Sequence, residues 1–209
     1  MKHIVLAGDS VFDNAGYVDQ GDAVIDQTTA KLSGSDKATL LAVDGDVTVD
    51  VLTQLENLPA DATHLFISAG GNDALRTINV LNQPVSTVGD AMSVLTKIKN
   101  DFQTGYREML LRALQTQTKV SVCTVHDSVP DFEQRAITAL ALFNEVILRE
   151  AFSLDVPVLD LRLACNKARD YSSISPIEPS KYGAQKISDL IIKTAEKHPF
   201  DYQKSIIYS

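Results

Sequence analysis

The chain has no tryptophan, two cysteines among 209 residues, and only 6% aromatic side chains. Cys123 and Cys165 are far apart, and neither belongs to a CxxC pair or a histidine-rich cluster. A zinc site, a redox motif and a disulfide framework are therefore not expected. Both cysteines read as buried thiols of a cytoplasmic protein, with no metal and no cofactor. Positive charge is also scarce: 19 Lys and Arg stand against 27 Asp and Glu, for a net charge of −8. That sign argues against a nucleic-acid partner or an anionic membrane surface. No run is apolar for the roughly 18 residues that a membrane span needs. Strand-like residues follow Lys2 at once, so no signal peptide is expected ahead of the domain. There is no glycine-rich phosphate loop, no internal repeat and no linker. What is present is an ordinary globular composition, 44% apolar and 22% charged, in a chain long enough for one substantial core.

Five short apolar, β-branched runs read as strands: residues 4–6, 38–43, 65–67, 120–125 and 156–159. Helical spacing fills the gaps at 18–32, 47–58, 86–117, 131–152 and 180–197. Five rounds of strand and helix predict a three-layer α/β/α domain with a five-stranded parallel sheet. The stretch 166–179 is the longest without a periodic pattern, and such loops are often functional. In an open parallel sheet, ligands bind beyond the carboxyl ends of the strands. The segments that converge there are Gly8-Asp9-Ser10, Asp44-Gly45-Asp46, Ser68 to Asp73, His126-Asp127, and Asp160 with the loop beyond it.

A serine set by a glycine at the end of a buried strand presents its hydroxyl rigidly, as a nucleophile requires. The same arrangement also caps helices. Acyl transfer further needs donors for an oxyanion and a proton acceptor. Ser10 N–H, Gly45 N–H and the Asn72 amide are candidate donors. Gly45 could equally shape a turn, and Asn72-Asp73 could cap a helix. Taken together after strands one, two and three, these residues resemble the SGNH hydrolases, the GDSL-type esterase superfamily. The resemblance runs from Ile4 to about Lys197. Gly8-Asp9-Ser10 matches the nucleophile block and Gly70-Gly71-Asn72-Asp73 the Gly-x-Asn-Asp block, while Gly45 falls at the oxyanion glycine. The resemblance implies the strand order 2-1-3-4-5, a serine hydrolase of carboxylic esters, and small-molecule ester substrates without metal.

One block departs. Where the superfamily carries Asp-x-x-His before the last helix, this chain has Ser175-Pro176-Ile177-Glu178. Pro179, Ser180 and Gly183 keep the surrounding frame. Glu178 becomes a non-standard base, with an ordinary pKa near 4.3 that makes it weak at neutral pH. Like charge from Asp9, Asp13 or Asp73 would raise that value, and the last helix's N-terminus would lower it. Of the four histidines, His3 and His64 precede strands at the wrong end of the sheet, and His198 follows the last helix. His126 alone follows a strand at its carboxyl end, and it reads as a surface-loop residue within reach of the site. Asp9, Asp73, Ser175 and His126 complete the candidate pocket. Asp13 and Asn14 read as the start of a helix, and Asp160 as a structural carboxylate. Arg76 reads as solvated, while Arg162, Lys167 and Arg169 lend the last loop positive charge. Two other readings stand beside the esterase: a catalytically inactive module of the same fold that binds an ester, carboxylate or sugar, and a flavodoxin-like nucleotide or receiver domain. Nothing in the sequence sets the oligomeric state.

Overall fold

The computed structural model describes residues 1–200 and 206–208. Its strands are β1 (His3–Gly8), β2 (Lys37–Leu40), β3 (His64–Ser68), β4 (Lys119–Cys123), β5 (Val158–Leu159) and β6 (Ile207–Tyr208). They form one parallel sheet in the order β2-β1-β3-β4-β5-β6. The five expected strands are present in the expected order. The sixth, β6, is a two-residue addition beside β5, too short to show any alternation in sequence.

Successive side chains of a strand point to opposite faces, and each face buries its own core. Val5, Ala7, Leu65, Ile67, Val120, Val122 and Val158 face α2 (Asp50–Glu56), α4 (Val88–Leu114) and α5 (Gln134–Ser153). Ile4, Leu6, Phe66, Cys123 and Leu159 face α1 (Val24–Ala30), α6 (Leu161–Ala164) and α7 (Lys181–Lys197). Both cysteines are buried and unpaired with each other. Among the described residues no helix is long and apolar enough to cross a membrane.

The helix ends follow local chemistry. Thr87 and Asp90 form a reciprocal capping box at the start of α4. The Ser180 side chain accepts the Tyr182 and Gly183 N–H groups at the start of α7. The expected helix over 18–32 is shorter: a single 3₁₀ turn at Ala15–Tyr17, an irregular stretch, and α1. The segment after β3 carries an extra short helix, α3 (Gly71–Thr77), where the sequence suggested only a loop. Because all strands run the same way, the turns after β1, β2, β3 and β4 meet along one edge of the sheet.

Candidate active site

The Gly8-Asp9-Ser10 turn, the candidate nucleophile turn, is fixed by backbone fit. Gly8 has φ +126°, and a Cβ there would stand 1.7 Å from the Ser68 carbonyl oxygen, so only glycine fits. The Gln54 side chain of α2 satisfies both polar groups of Gly8, accepting from its N–H at 2.7 Å and donating to its carbonyl at 2.8 Å. Asp9 N–H donates to the Ser68 carbonyl at 3.0 Å. Asp9 Oδ1 accepts from Val11 N–H at 3.2 Å and from the Ser68 hydroxyl at 3.0 Å. Burial pushes the Asp9 carboxyl up to about 7 against those hydrogen bonds, with help from the nearby Asp73 charge. Ser10 follows at the top of this turn, with 8% of its surface exposed.

The two candidate donors outside the turn come from crossed loops. Asn72 lies in the first turn of α3, and its Nδ2 donates to the Asp46 carbonyl at 2.9 Å. An amide NH₂ has two donors, so this bond orients the group and leaves a second N–H. Asp73 Oδ2 accepts from the Thr48 N–H and hydroxyl, both at 3.0 Å. Asp73 therefore fastens the loop after β2, and neither it nor Asn72 caps α3 through its side chain. Gly45 occupies the third position of a turn closed by Asp46 N–H to the Val43 carbonyl at 3.2 Å. Its φ of +86° accounts for the glycine on turn geometry alone. Its carbonyl accepts from Arg76 at 3.3 Å, so this arginine braces the turn.

The candidate proton acceptor, Glu178, lies on the loop between α6 and α7. Ser172 N–H donates to the Glu178 carbonyl at 2.9 Å, and Tyr171 and Pro179 form an antiparallel bridge. Asn14 joins this loop to the nucleophile turn. Its Nδ2 donates to the Pro179 carbonyl at 3.0 Å, and its Oδ1 accepts from Val24 N–H at 2.9 Å. Asn14 is fully buried, so it is a clamp and not simply the start of a helix. Asp13 Oδ2 accepts from Asp44 N–H at 3.0 Å and ties the same turn to the loop after β2.

Glu178 is 3% exposed. Burial raises its carboxyl pKa above the usual range, the Ser175 and Ser10 hydroxyls draw it down, and Asp44 adds to the rise. The leading like charge is that of Asp44. The last helix, α7, begins after its N-cap Ser180, two residues beyond Glu178. Oε2 is buried without a hydrogen-bond partner among the described residues, so the carboxylate retains an unused acceptor.

His126 is 3% exposed, which corrects the surface-loop expectation. Its ring stands edge-on to Tyr171 at 5.1 Å. Nε2 lies 2.8 Å from the Ile177 carbonyl. A carbonyl only accepts, so Nε2 carries the proton. Burial lowers the His126 pKa, and the neutral ring leaves Nδ1 bare and without a partner. The other histidines lie away from this edge: His3 bonds Asp61 and Thr39 at the amino ends of the strands, His64 bonds Thr63, and His198 packs against Phe200 and Tyr208. Asp160 pairs with Arg162 at 2.6 Å, and Arg169 lies over the Tyr182 ring. These two arginines of the last loop are engaged within the protein.

The structure thus brings Ser10, Asn72, Glu178, Ser175, Asp9 and His126 to one edge and gives Asp73 and Gly45 clear structural duties beside it. Sequence reasoning missed Gln54, Thr48 and Ile177, which show no local motif. Asn14 stands out in the sequence as a pocket-lining or helix-start residue, and nothing local marks it as a clamp.

The sequence matches the model of the GDSL-like lipase/acylhydrolase family over residues 6–186. The chain belongs to that family. Solved structures similar to it include a lipase, Lip_vut3, from a goat rumen metagenome (TM-score 0.74, 18% identity, covering 96% of this chain and 100% of that one). Another is the psychrotrophic esterase EstA from Pseudoalteromonas sp., in a form inhibited by monoethylphosphonate (TM-score 0.67, 15% identity, 94% and 98% covered). A third is the acetyl xylan esterase AlAXEase (TM-score 0.69, 15% identity, 93% and 99% covered). At these identities the likeness is one of fold. No curated protein matches the chain in sequence.

Proposed function

We propose that the protein hydrolyses carboxylic esters of small molecules by acyl transfer through Ser10, with Glu178 as the proton acceptor. The observation that carries this reading is the gathering at one edge of the sheet of Ser10, the oriented Asn72 amide and the buried Glu178 carboxylate, whose Oε2 has no partner among the described residues; that burial raises the Glu178 pKa. A raised pKa makes the carboxylate a stronger base than an exposed one while leaving it ionised on the alkaline side of that pKa. As Ser10 Oγ bonds to the ester carbonyl carbon, its proton passes to Glu178. The carbonyl π electrons move onto oxygen, where Ser10 N–H, Gly45 N–H and the second Asn72 N–H stabilise the charge. Collapse breaks the C–O bond to the alcohol, which takes the proton back from Glu178. Water repeats the sequence and releases the acid. Each oxyanion donor is worth about 10²–10³ in rate. No step requires a metal.

Family membership and the lipase and esterase neighbours support the reaction class. The test is hydrolysis of p-nitrophenyl acetate and butyrate together with labelling by a fluorophosphonate. Wild type should turn over ester and label at Ser10, and Ser10→Ala should do neither. Glu178→Gln should lower kcat by about 10²–10⁴, far more than His126→Ala. Equal hydrolysis by wild type and Ser10→Ala would refute the reading. A wild-type protein that neither labels nor hydrolyses, yet binds acids or esters, would instead be the inactive binding module.

A further inference from the structure

The Gln54 side chain does more than satisfy Gly8. Gln54 sits on α2 between Val51 and Leu55, both buried in the core, and is itself buried. Its Oε1 accepts from Gly8 N–H at 2.7 Å, and a backbone N–H can only donate, so the amide has one orientation. Nε2 then donates one proton to the Gly8 carbonyl and the other to Asp46 Oδ2, both at 2.8 Å. Asp46 in turn holds the Asn72 amide, its carbonyl accepting from Nδ2 at 2.9 Å. A single chain of hydrogen bonds thus runs from Gly8, two residues before Ser10, through Gln54 and Asp46 to Asn72.

The other ties of these segments have a different task. Asp73 bonds Thr48, and Arg76 bonds the Gly45 carbonyl. Both join the loop after β2 to α3, so they hold Gly45 and Asn72 relative to each other and not relative to Ser10. Backbone pairing with β1 reaches as far as Val43, whose N–H donates to the Gly8 carbonyl at 3.1 Å. Beyond Val43, the bond from Asp44 N–H to Asp13 lies at the surface. Gln54 is the buried side chain that joins the candidate nucleophile turn to the loop that carries Gly45 and orients Asn72.

Resting on the ester-hydrolase reading above, we infer that Gln54 is a positioning residue: through Asp46 it sets the Asn72 amide at the place where the oxyanion forms beside Ser10. It touches no substrate. A donor stabilises a developing charge only from the right distance, and a displacement of about 1 Å caused far from the reacting atoms costs up to about 10² in rate. Such a loss falls on kcat and leaves KM unchanged, because the oxyanion forms only on the way to and in the transition state.

The test severs the chain at Asp46, which is partly exposed and whose truncation leaves both Gln54 bonds to Gly8 in place. With p-nitrophenyl butyrate, Asp46→Ala should lower kcat about tenfold with KM unchanged. Asp46→Asn, which keeps an acceptor for Gln54, should restore it. In an Asn72→Ala background, Asp46→Ala should change kcat by less than about twofold, since the donor that it positions is gone. Gln54→Met should lower kcat further than Asp46→Ala, because it frees Gly8 as well, and the Asp46 series stands without it should that variant fail to fold. The Asn72 side-chain amide gives a second readout by nitrogen–proton NMR. Its two Nδ2 protons should be well resolved in wild type and in Asp46→Asn, and should move towards the shifts of a free amide in Asp46→Ala. Equal effects of Asp46→Ala with and without Asn72, or an unmoved Asn72 signal, would overturn the inference and leave the hydrolase reading intact. Were Ser10→Ala to hydrolyse ester as fast as wild type, the hydrolase reading would fall, and a displaced Asn72 signal in Asp46→Ala would still uphold the link as what orients that amide.

Discussion

The two sides of the site are built differently. On the nucleophile side the chain is locked by backbone contacts: Gly8 against Ser68, Gln54 on both polar groups of Gly8, and Asp9 on Ser68 and Val11. On the acceptor side the loop is held by single hydrogen bonds, from Asn14 to the Pro179 carbonyl, from Ser172 N–H to the Glu178 carbonyl and from His126 to the Ile177 carbonyl, besides the contacts near its ends. Gly183 approaches the Asp170 carbonyl, where a Cβ would stand at 2.2 Å, and Lys186 meets Asp170 at 2.6 Å. Between those anchors the chain carries Glu178 with an unpartnered oxygen, beside a histidine with an unpartnered nitrogen. The side whose packing leaves no alternatives keeps the family pattern, and the side held by a few side chains is where that pattern changes. A loop can change side chains without disturbing the sheet, whereas a β1 turn that abuts a neighbouring strand cannot take a single added carbon at Gly8.

The sharpest way to break that contrast is to compare two glycines. In Gly8→Ala the new methyl meets a backbone carbonyl at a φ hostile to any side chain. The loss should be at least about 3 kcal/mol, a mechanism for severe destabilisation, read from denaturant unfolding. Gly45→Ala adds a methyl into open space, and its φ of +86° costs only about 1 kcal/mol. Similar losses at both positions would mean that the nucleophile turn relaxes and is not locked. Next in size is Asn14→Ala. It leaves the Val24 N–H and the Pro179 carbonyl buried and unpaired, and should cost about 2–3 kcal/mol. Because Asn14 is the strap between the two sides, kcat should fall along with stability. A stability loss with kcat unchanged would show that Pro179 does not help to place Glu178.

Asp9 gives a pH test of the locked side. Its folded pKa, about 7, lies above its unfolded value near 3.9. The folded state therefore holds this proton more tightly, and the stability it contributes is complete below about pH 4 and is lost as pH rises towards 7. Asp9→Asn cannot ionise. Between pH 5 and 7 the wild type should lose about 2 kcal/mol more than the variant, measured by urea unfolding at each pH. Parallel curves would mean that the Asp9 carboxyl titrates normally.

The contrast also explains what the sequence could and could not reveal. β1, β3 and β4 are legible because burial on both faces makes each a continuous apolar run, and Gly8 and Asn72 because their chemistry is local. β6 has too few residues to alternate. Asn14, Gln54 and Thr48 act through partners 25 to 165 residues away, and no local pattern marks such a bond. His126 looks exposed because a polar residue after a strand usually is; the loop that buries it is recruited from beyond α6. The direction of the Glu178 shift was open for the same reason: burial depends on the whole assembly, and it is burial that outweighs the hydroxyls of Ser175 and Ser10.

The acceptor side can be tested by restoring what the family carries there. By the resemblance, Ser175 and Glu178 stand where the superfamily carries Asp and His, and the Ser175 hydroxyl draws the Glu178 pKa down. In Ser175→Asp/Glu178→His the new carboxylate should orient the imidazole as Ser175 now bonds the glutamate. An imidazole, ordinarily of pKa about 6.5, is a stronger base than a carboxylate, ordinarily near 4.3. At pH 8 kcat should rise about tenfold. The acid limb of the profile should move upward, since activity now falls only when the pH drops through the raised Glu178 pKa and would then fall when it drops through that of the histidine. The single Glu178→His should gain less, because Ser175 cannot stabilise the imidazolium as an aspartate does. If the double variant were slower than wild type with its limb unmoved, the proton would be leaving Ser10 by another route, for which His126 Nδ1, without a partner among the described residues, is the candidate. His126→Phe would then abolish turnover in a protein whose Glu178 is intact.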